Sequence, residues 1–517
     1  MRKNRIAAVI DIGSSMVRMH ISQWNGQKVV SLDRLEKPTQ IGKEVFSTGY
    51  VSFDTVRALS DTLGSYKEKA REYGISTAQT IASTAMREAS NQAYILDRLY
   101  INNKLEVDVL EDSEVGALII GAMKNERVPE AKKILFVYGG TGTIDFELSS
   151  GDIIEAAYSI QTGILKISDM LREAEMFSGR VDLMAEEYVD SILTRESRTR
   201  DFMKTGAIVF GSADMLPLYK LCGINSRTDI PGISGNTIKS AYESIRRLSV
   251  EQISRRLSIG ETESESLRAM TILLAALLKL TKAKELQLVQ ISLADAALSR
   301  ILRPGETKRL TDNLFDGALA SARELSERYK SDTRHCGQTA AMALEIFEKL
   351  KKDFGFSKKQ RLFLHIACIL HEVGFYTTSF NTSAAAFNLV STAQIYGLLS
   401  KETLLIANII APHSLPGAMS GAREYSGVLS DDGALLAAKM HALLLIADTL
   451  DFSHKQKLNR ISIELAERSL VISVKTEQDF TLEQWAFREN AGLFQEVFGI
   501  TPVLKINNRF APEGAGE

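Results

Sequence analysis

The segment Ala8-Val9-Ile10-Asp11-Ile12-Gly13-Ser14-Ser15-Met16-Val17-Arg18-Met19 ends an apolar run in one carboxylate, one glycine and two hydroxyls. Gly13 allows close approach of the backbone to a ligand. Ser14 and Ser15 offer hydroxyls and successive backbone N–H groups, the parts of an anion-binding nest. Asp11 can hold a hydrated divalent cation or position a water. About 125 residues later, Gly139-Gly140-Thr141-Gly142-Thr143-Ile144-Asp145 repeats the theme after a second apolar run. Between the two lies Ala82-Ser83-Thr84-Ala85-Met86-Arg87-Glu88-Ala89-Ser90-Asn91, in which small residues permit close packing and Arg87 is an anion fork. Glu111-Asp112-Ser113-Glu114 precedes the apolar stretch Val115 to Met123. Carboxylates in a first helical turn are favoured by the helix dipole, and Glu111 and Asp112 read as caps. An ordinary hairpin with a polar turn would show the same local pattern at either glycine-rich segment.

The elements that must position these groups follow from periodicity. Ile6 to Ile10 and Val17, Met19, Ile21 read as two strands flanking the first turn. Phe53 to Tyr73 has helical spacing through Val56, Leu59, Leu63 and Tyr66. Thr80–Thr84 and Leu105–Leu110 read as strands, with a helix between them capped by Ser90 or Asn91. Ile134–Val137 and Phe146–Leu148 flank the second turn. Two strand–turn–strand units of the same kind predict an internally duplicated α/β fold. Residues 308 to 450 read as almost continuous amphipathic helices. Residues 461–475 return to alternation as a hairpin turning at Glu467-Arg468. A helix from Leu482 to Phe494 and a strand from Pro502 to Ile506 follow, and a Gly/Pro-rich tail is expected to be disordered.

Composition sets bounds. A chain of 517 residues exceeds one core and predicts several domains. A formal net charge of −2 gives no pull toward nucleic acid or a membrane surface. Three scattered cysteines argue for a reducing compartment and against a disulfide framework. The apolar run at the start breaks at Asp11 and reads as a strand rather than a signal peptide. Together these predict a cytoplasmic protein.

The two turns, with ASTAMREASN between them, resemble the exopolyphosphatase / guanosine pentaphosphate phosphohydrolase (Ppx/GppA) family. DIGSSMVRM is similar to its DIGSNSxRL, ASTAMREASN to its AT(S/A)AxRxAxN, FVYGGTGTIDFEL to its DIGGGSTEL segment and SIQTGILKI to its SLPLGAVRL. The resemblance implies duplicated actin-like (ribonuclease H-like) ATPase-type domains over 1–125 and 126–304. An all-α HD-like domain over 305–447 and a small α+β C-terminal domain over 448–517 would follow. It implies phosphate binding by Asp11, Gly13, Ser14, Ser15, Arg87, Gly139, Gly140, Thr141, Gly142 and Thr143. Glu114 falls on the family's general base, and Asp11 and Asp145 would hold Mg²⁺. The implied substrate is inorganic polyphosphate or guanosine pentaphosphate, handled by a homodimer with no nucleic-acid or membrane partner.

Several polar positions of the family pattern have changed: Ser15 and Met16 replace Asn and Ser, Val115 replaces the second Glu, Val137 the Asp of DIGGG and Ile144 the Glu of GGGSTE. These changes open a rival reading, a catalytically degenerate polyphosphate- or alarmone-binding regulatory protein. A sugar or acetate kinase of the same fold group fits ASTAMREASN less well. In the helical domain, His335, His371-Glu372 and Asp448 fall where HD-type metal ligands would, with Glu372 in place of Asp. Lone histidines on apolar helices, such as His365 and His441, read as core or surface residues rather than ligands, and His413 lies in a proline-flanked loop. The domain as a whole reads as a retained fold whose metal chemistry is lost.

Overall fold

The computed structural model describes residues 5–125, 129–177, 181–195, 202, 205–224, 232–281, 283–303, 305–411, 429, 431–458, 460–466 and 468–507. His413, Glu467 and the Gly/Pro-rich tail lie outside them. The chain divides into two compact units, Met1–Gly317 and Ala318–Glu517.

The first unit holds two sheets with one plan. β1 (Arg5–Ile12), β2 (Met16–Trp24) and β3 (Val29–Pro38) form an antiparallel meander. β4 (Gln79–Ala82) and β5 (Val107–Val109) extend it in parallel, in the order β3-β2-β1-β4-β5. The second sheet repeats this with β6 (Ile134–Gly139), β7 (Ile144–Ser150) and β8 (Ile153–Ile160) as the meander. β9 (Ala207–Ser212) and β11 (Glu285–Gln290) are its parallel partners, and β10 (Ile233–Ser234) closes the edge. The fold is thus the duplicated actin-like α/β architecture, and each glycine-rich segment is the hairpin between the first two strands of a sheet. β5 is shorter than the Leu105–Leu110 expected, because the four-residue β4 offers it only three partners.

The apolar runs of β1 and β6 have no polar alternation because both their faces are buried. Ala8, Ile10 and Ile12 pack with Val17, Met19 and Ile21 under the helices Ile41–Thr48 and Phe53–Glu72. Val9 points the other way, into a core shared with Phe136, Tyr138 and Val209 of the second sheet and the helices Asp112–Met123 and Leu293–Leu302. Leu135, Val137, Ile144, Phe146 and Leu148 face a third core, where Phe146, Tyr158 and Phe202 stack. With period two, Asp11, Tyr138 and Asp145 therefore fall on the shared inner face.

In the second unit the described residues form helices over Thr333–Leu350, Lys358–Leu370, Thr382–Ser391, Ser400–Ile410 and Asp431–Thr449. The alternating residues 461–475 form the hairpin β12 (Ile461–Ala466) and β13 (Ser469–Lys475). β14 (Thr501–Asn507) joins β13 in parallel after the helix Thr481–Phe498. Among the described residues no helix is long and apolar enough to cross a membrane.

The first turn is fixed from below. Gly42 N donates to Ser14 O at 2.8 Å, and a Cβ at Gly42 would stand 2.7 Å from Ser14 Cβ. Gly42→Ala should therefore push the turn off its seat and cost about 1–3 kcal/mol, as overpacking does. Urea unfolding checks this; an unchanged midpoint would show that the turn yields freely.

Candidate functional site

Asp11 is the last residue but one of β1, opposite Arg18 of β2. Gly13 N donates to Met16 O at 3.0 Å, and Thr39 N to Ser15 O at 2.9 Å, which sets the hairpin. Asp11 Oδ1 and Ser14 Oγ are both buried and have no hydrogen-bond partner among the described residues. Buried polar atoms are normally paired, so two orphans at one turn mark a place for a ligand, ion or water. Burial pushes the Asp11 carboxyl up to about 6, against the lowering effect of Arg18 and His20. Arg18 is absent from the residues singled out by sequence. Its guanidinium lies beside the turn, its Nη2 donates to Asp214 at 3.2 Å, and its Nε stands 3.5 Å from Glu36.

The second turn is shaped by Gly140 N donating to Thr143 O at 2.9 Å, while Ile164 N and Leu165 N bind Gly140 O and Thr141 O. Gly139 ends β6 against Phe210. Gly142 packs on Thr84, where a Cβ would stand 2.8 Å from its methyl carbon, so the second turn meets the ASTAMREASN segment. Asp145 is fully buried and accepts hydrogen bonds from Thr143 Oγ1 at 3.2 Å and from Ser159 Oγ. Gly116 of the Asp112–Met123 helix lies directly against its carboxyl. Burial pushes Asp145 up to about 7, and Asp112 nearby adds to the rise.

Arg87 sits on the short helix Thr84–Glu88. Its Nη1 donates to Leu110 O at 2.9 Å and its Nη2 to Asp112 Oδ2 at 2.6 Å, while Asp112 Oδ1 accepts from Thr84. Asp112 therefore does more than cap its helix. Glu114 is the third residue of that helix, half-buried, in a capping box with Glu111 whose N lies 3.4 Å from Glu114 Oε2. Thr84, Arg87, Asp112 and Asp145 form one group; Asp11, Arg18 and Asp214 form another. Tyr138 lies within electrostatic reach of both Asp11 and Asp145. As a Mg²⁺ site, Asp11 with its orphaned oxygen and Ser14 offers the hard oxygen donors this ion takes. Both oxygens of Asp145 are already engaged by hydroxyls.

In the second unit, His335, His371 and Asp448 converge. His335 Nε2 is 2.9 Å from Asp448 Oδ1 and 3.3 Å from His371 Nε2, and the latter is 3.4 Å from the same oxygen. His335 Nδ1 faces Asp451 Oδ2 at 2.9 Å and His371 Nδ1 faces Cys368 O at 2.8 Å. Glu372 turns aside, accepting from Asp332 N at 3.1 Å and standing 3.5 Å from His454 Nε2. Burial lowers His335, but its bonds to Asp448 and Asp451 outweigh this and raise it to about 10. Asp451 and His454 were not singled out in the sequence; their spacing from Asp448, three and six residues on, was the available signal. His365 and His441 are half-buried on their helices and depressed first by desolvation, and His441 Nδ1 binds Ile409 O.

Residues 319–491 match the family model for Ppx/GppA phosphatase, domain III. That region is a Ppx/GppA phosphatase domain III. The structure is similar to the crystal structure of the Aquifex aeolicus Ppx/GppA family member, with a TM-score of 0.50 and 19% identity over 60% of this chain and 99% of that one. It is also similar to an exopolyphosphatase from Cytophaga hutchinsonii, with a TM-score of 0.50 and 17% identity over 57% of this chain and 97% of that one. At such identities the likeness speaks for the fold.

Within the first unit, the positions that depart from the family pattern sort by face. Val137 and Ile144 pair with Phe146 and Gly139 in the ladder and point into the core under the second sheet. Tyr138 and Asp145, directly paired across β6 and β7, hold the inner face. The carboxylate on that face is therefore Asp145, one place along from Ile144. Val115 is buried in the shared core.

Asp145 gives a pH prediction. Its folded pKa of about 7 exceeds its ordinary 3.8, so between these values the folded chain keeps a proton that the unfolded chain has released. Stability then falls as pH rises through that window. Asp145→Asn in metal-free buffer should be more stable than wild type above about pH 7, by an amount on the order of 1–4 kcal/mol, and lose this advantage near pH 4. Thermal unfolding across the range checks it; a gap that does not widen with pH refutes it.

Proposed function

We propose that this chain is a Ppx/GppA-type phosphohydrolase that releases terminal phosphate from inorganic polyphosphate, or the 5′ phosphate of guanosine pentaphosphate, at the inner face of the first unit. The observation that carries the reading is the pair of orphaned buried atoms, Asp11 Oδ1 and Ser14 Oγ, at a glycine turn beside Arg18. Phosphoryl transfer to water is achieved mainly by positioning and by neutralising charge on the phosphate oxygens. The backbone N–H groups of the two turns, with Arg87 and Arg18, would bind those oxygens. Mg²⁺ held by Asp11 supplies further neutralisation when bound. Glu114 would take a proton from the attacking water, as a carboxylate within hydrogen-bond reach can. The exopolyphosphatase name of the Cytophaga hutchinsonii neighbour makes long-chain polyphosphate the first substrate to try.

One observation favours the rival, a regulatory protein that binds the same polyanion without cleaving it. The Arg87 guanidinium is engaged by Asp112 and Leu110 O, and Glu114 serves its own helix as a cap residue. The deciding measurement is phosphate release from long-chain polyphosphate with Mg²⁺. Wild type should turn over and Glu114→Gln should lose about 10²-fold or more. If both proteins are inert while polyphosphate binds in a salt-sensitive manner, the hydrolase reading is replaced by the regulatory one.

A further inference from the structure

The two glycine turns of the first unit correspond residue by residue. Gly13 N donates to Met16 O at 3.0 Å and Gly140 N to Thr143 O at 2.9 Å, so Gly13 and Gly140 occupy the same place in their hairpins. Two residues earlier, Asp11 then matches Tyr138, and across the strands Arg18 matches Asp145. The match continues down the sheets. Ser22 opposite Ala7 answers Ser149 opposite Ile134, and both serines are buried. A phenol thus stands at the second turn where a carboxylate stands at the first.

We infer that Tyr138 is a phosphate contact, its hydroxyl donating a hydrogen bond to an oxygen of a polyanion bound at the inner face. This contact belongs to the site of the function proposed above and rests on that reading. Tyr138 packs on the inner face with Val9 and Phe136. Its ring edge lies along the second turn, where a Cβ on Gly140 would stand 3.3 Å from Tyr138 Cε1. Asp145 is directly opposite it across the ladder. Asp11, Arg18 and Asp214 also lie within electrostatic reach, so the hydroxyl sits among three carboxylates and one guanidinium.

The chemistry of the exchange follows from donors and charge. Burial first, and then Asp11, hold the phenol well above its ordinary range, so it keeps its hydrogen. That hydrogen is not spent on Asp11 Oδ1, which has no hydrogen-bond partner among the described residues. Asp145 already accepts from Thr143 and Ser159. An ionised carboxylate can only accept, so at this place it would meet a phosphate oxygen acceptor to acceptor and need a cation between them. A phenol needs none: it donates directly, and hydrogen bonds to a charged acceptor are the stronger kind. It also spares the inner face a further negative charge beside Asp11, Asp145 and Asp214, which lowers the repulsion an arriving polyanion meets.

The test is binding of labelled long-chain polyphosphate to the full-length protein in metal-free buffer, followed by fluorescence anisotropy over a salt series. Tyr138→Phe removes the hydroxyl and keeps the ring, so the variant should retain the wild-type circular dichroism. It should bind about 10-fold or more weakly, as loss of a hydrogen bond to a charged group implies. The slope of log affinity against log salt should stay at the wild-type value, because the lost donor is neutral. A ring that only fills the core would be indifferent to the loss. Equal binding by Tyr138→Phe, a weakening that comes with a changed salt slope, or wild-type binding that requires Mg²⁺ would each overturn the contact alone. Wild type that binds no polyphosphate with or without Mg²⁺ would refute the function proposed above and the contact with it.

Discussion

Burial of both faces of β1 and β6 is the constraint on which the first unit depends. A strand covered on one side by its own helices and on the other by the Asp112–Met123 and Leu293–Leu302 helices can carry polar residues only where they find partners or a ligand. Asp145 finds Thr143 and Ser159, and Glu147 on the same strand takes Ser149 and Lys124. Asp11 is only partly provided for, and its orphaned oxygen sits where the strand ends and the backbone opens into the turn. The polar atoms that could do chemistry are therefore those the packing leaves unsatisfied at strand ends.

The elements themselves were legible because their signals are local. The helix over Phe53–Glu72, the hairpin of β12 and β13 and the last strand follow from spacing and turn residues alone. The helix Thr481–Phe498 runs further than Leu482–Phe494, because Phe498 still packs on Phe494 before Gly499 takes a left-handed φ of 71° and ends it. The faces were less legible. Matching letters against a family pattern singled out Val137 and Ile144, yet a one-residue step in a strand changes the face, and Tyr138 and Asp145 are the residues turned inward. Contacts between distant parts left no trace either. Arg18 and Asp214 are 196 positions apart, and His335 and Asp451 116, so no window of sequence holds both partners.

The helical unit shows the same limit from the other side. His335, His371 and Asp448 were visible as residues, but their chemistry depends on which ring nitrogens carry hydrogens. That is decided by Cys368 O and Asp451, neither of which has any motif value of its own. Helix capping contributes to the placement: the Asp332 side chain accepts from Arg334 N and His335 N, fixing the start of the helix that presents His335.

The ion pair between Arg18 and Asp214 joins the strand beside the first turn to the segment after β9, one from each sheet. Its two members are unequally placed, with the Arg18 side chain 10% exposed and Asp214 61%. A pair with one partner so open to solvent contributes at most about 1 kcal/mol. On the function proposed above, a polyanion would offer Arg18 a more highly charged acceptor than the one it has, and Asp214 can return to water at little cost. The contact between the two sheets at this point is thus one whose acidic member can exchange its partner for water without unseating the buried arginine.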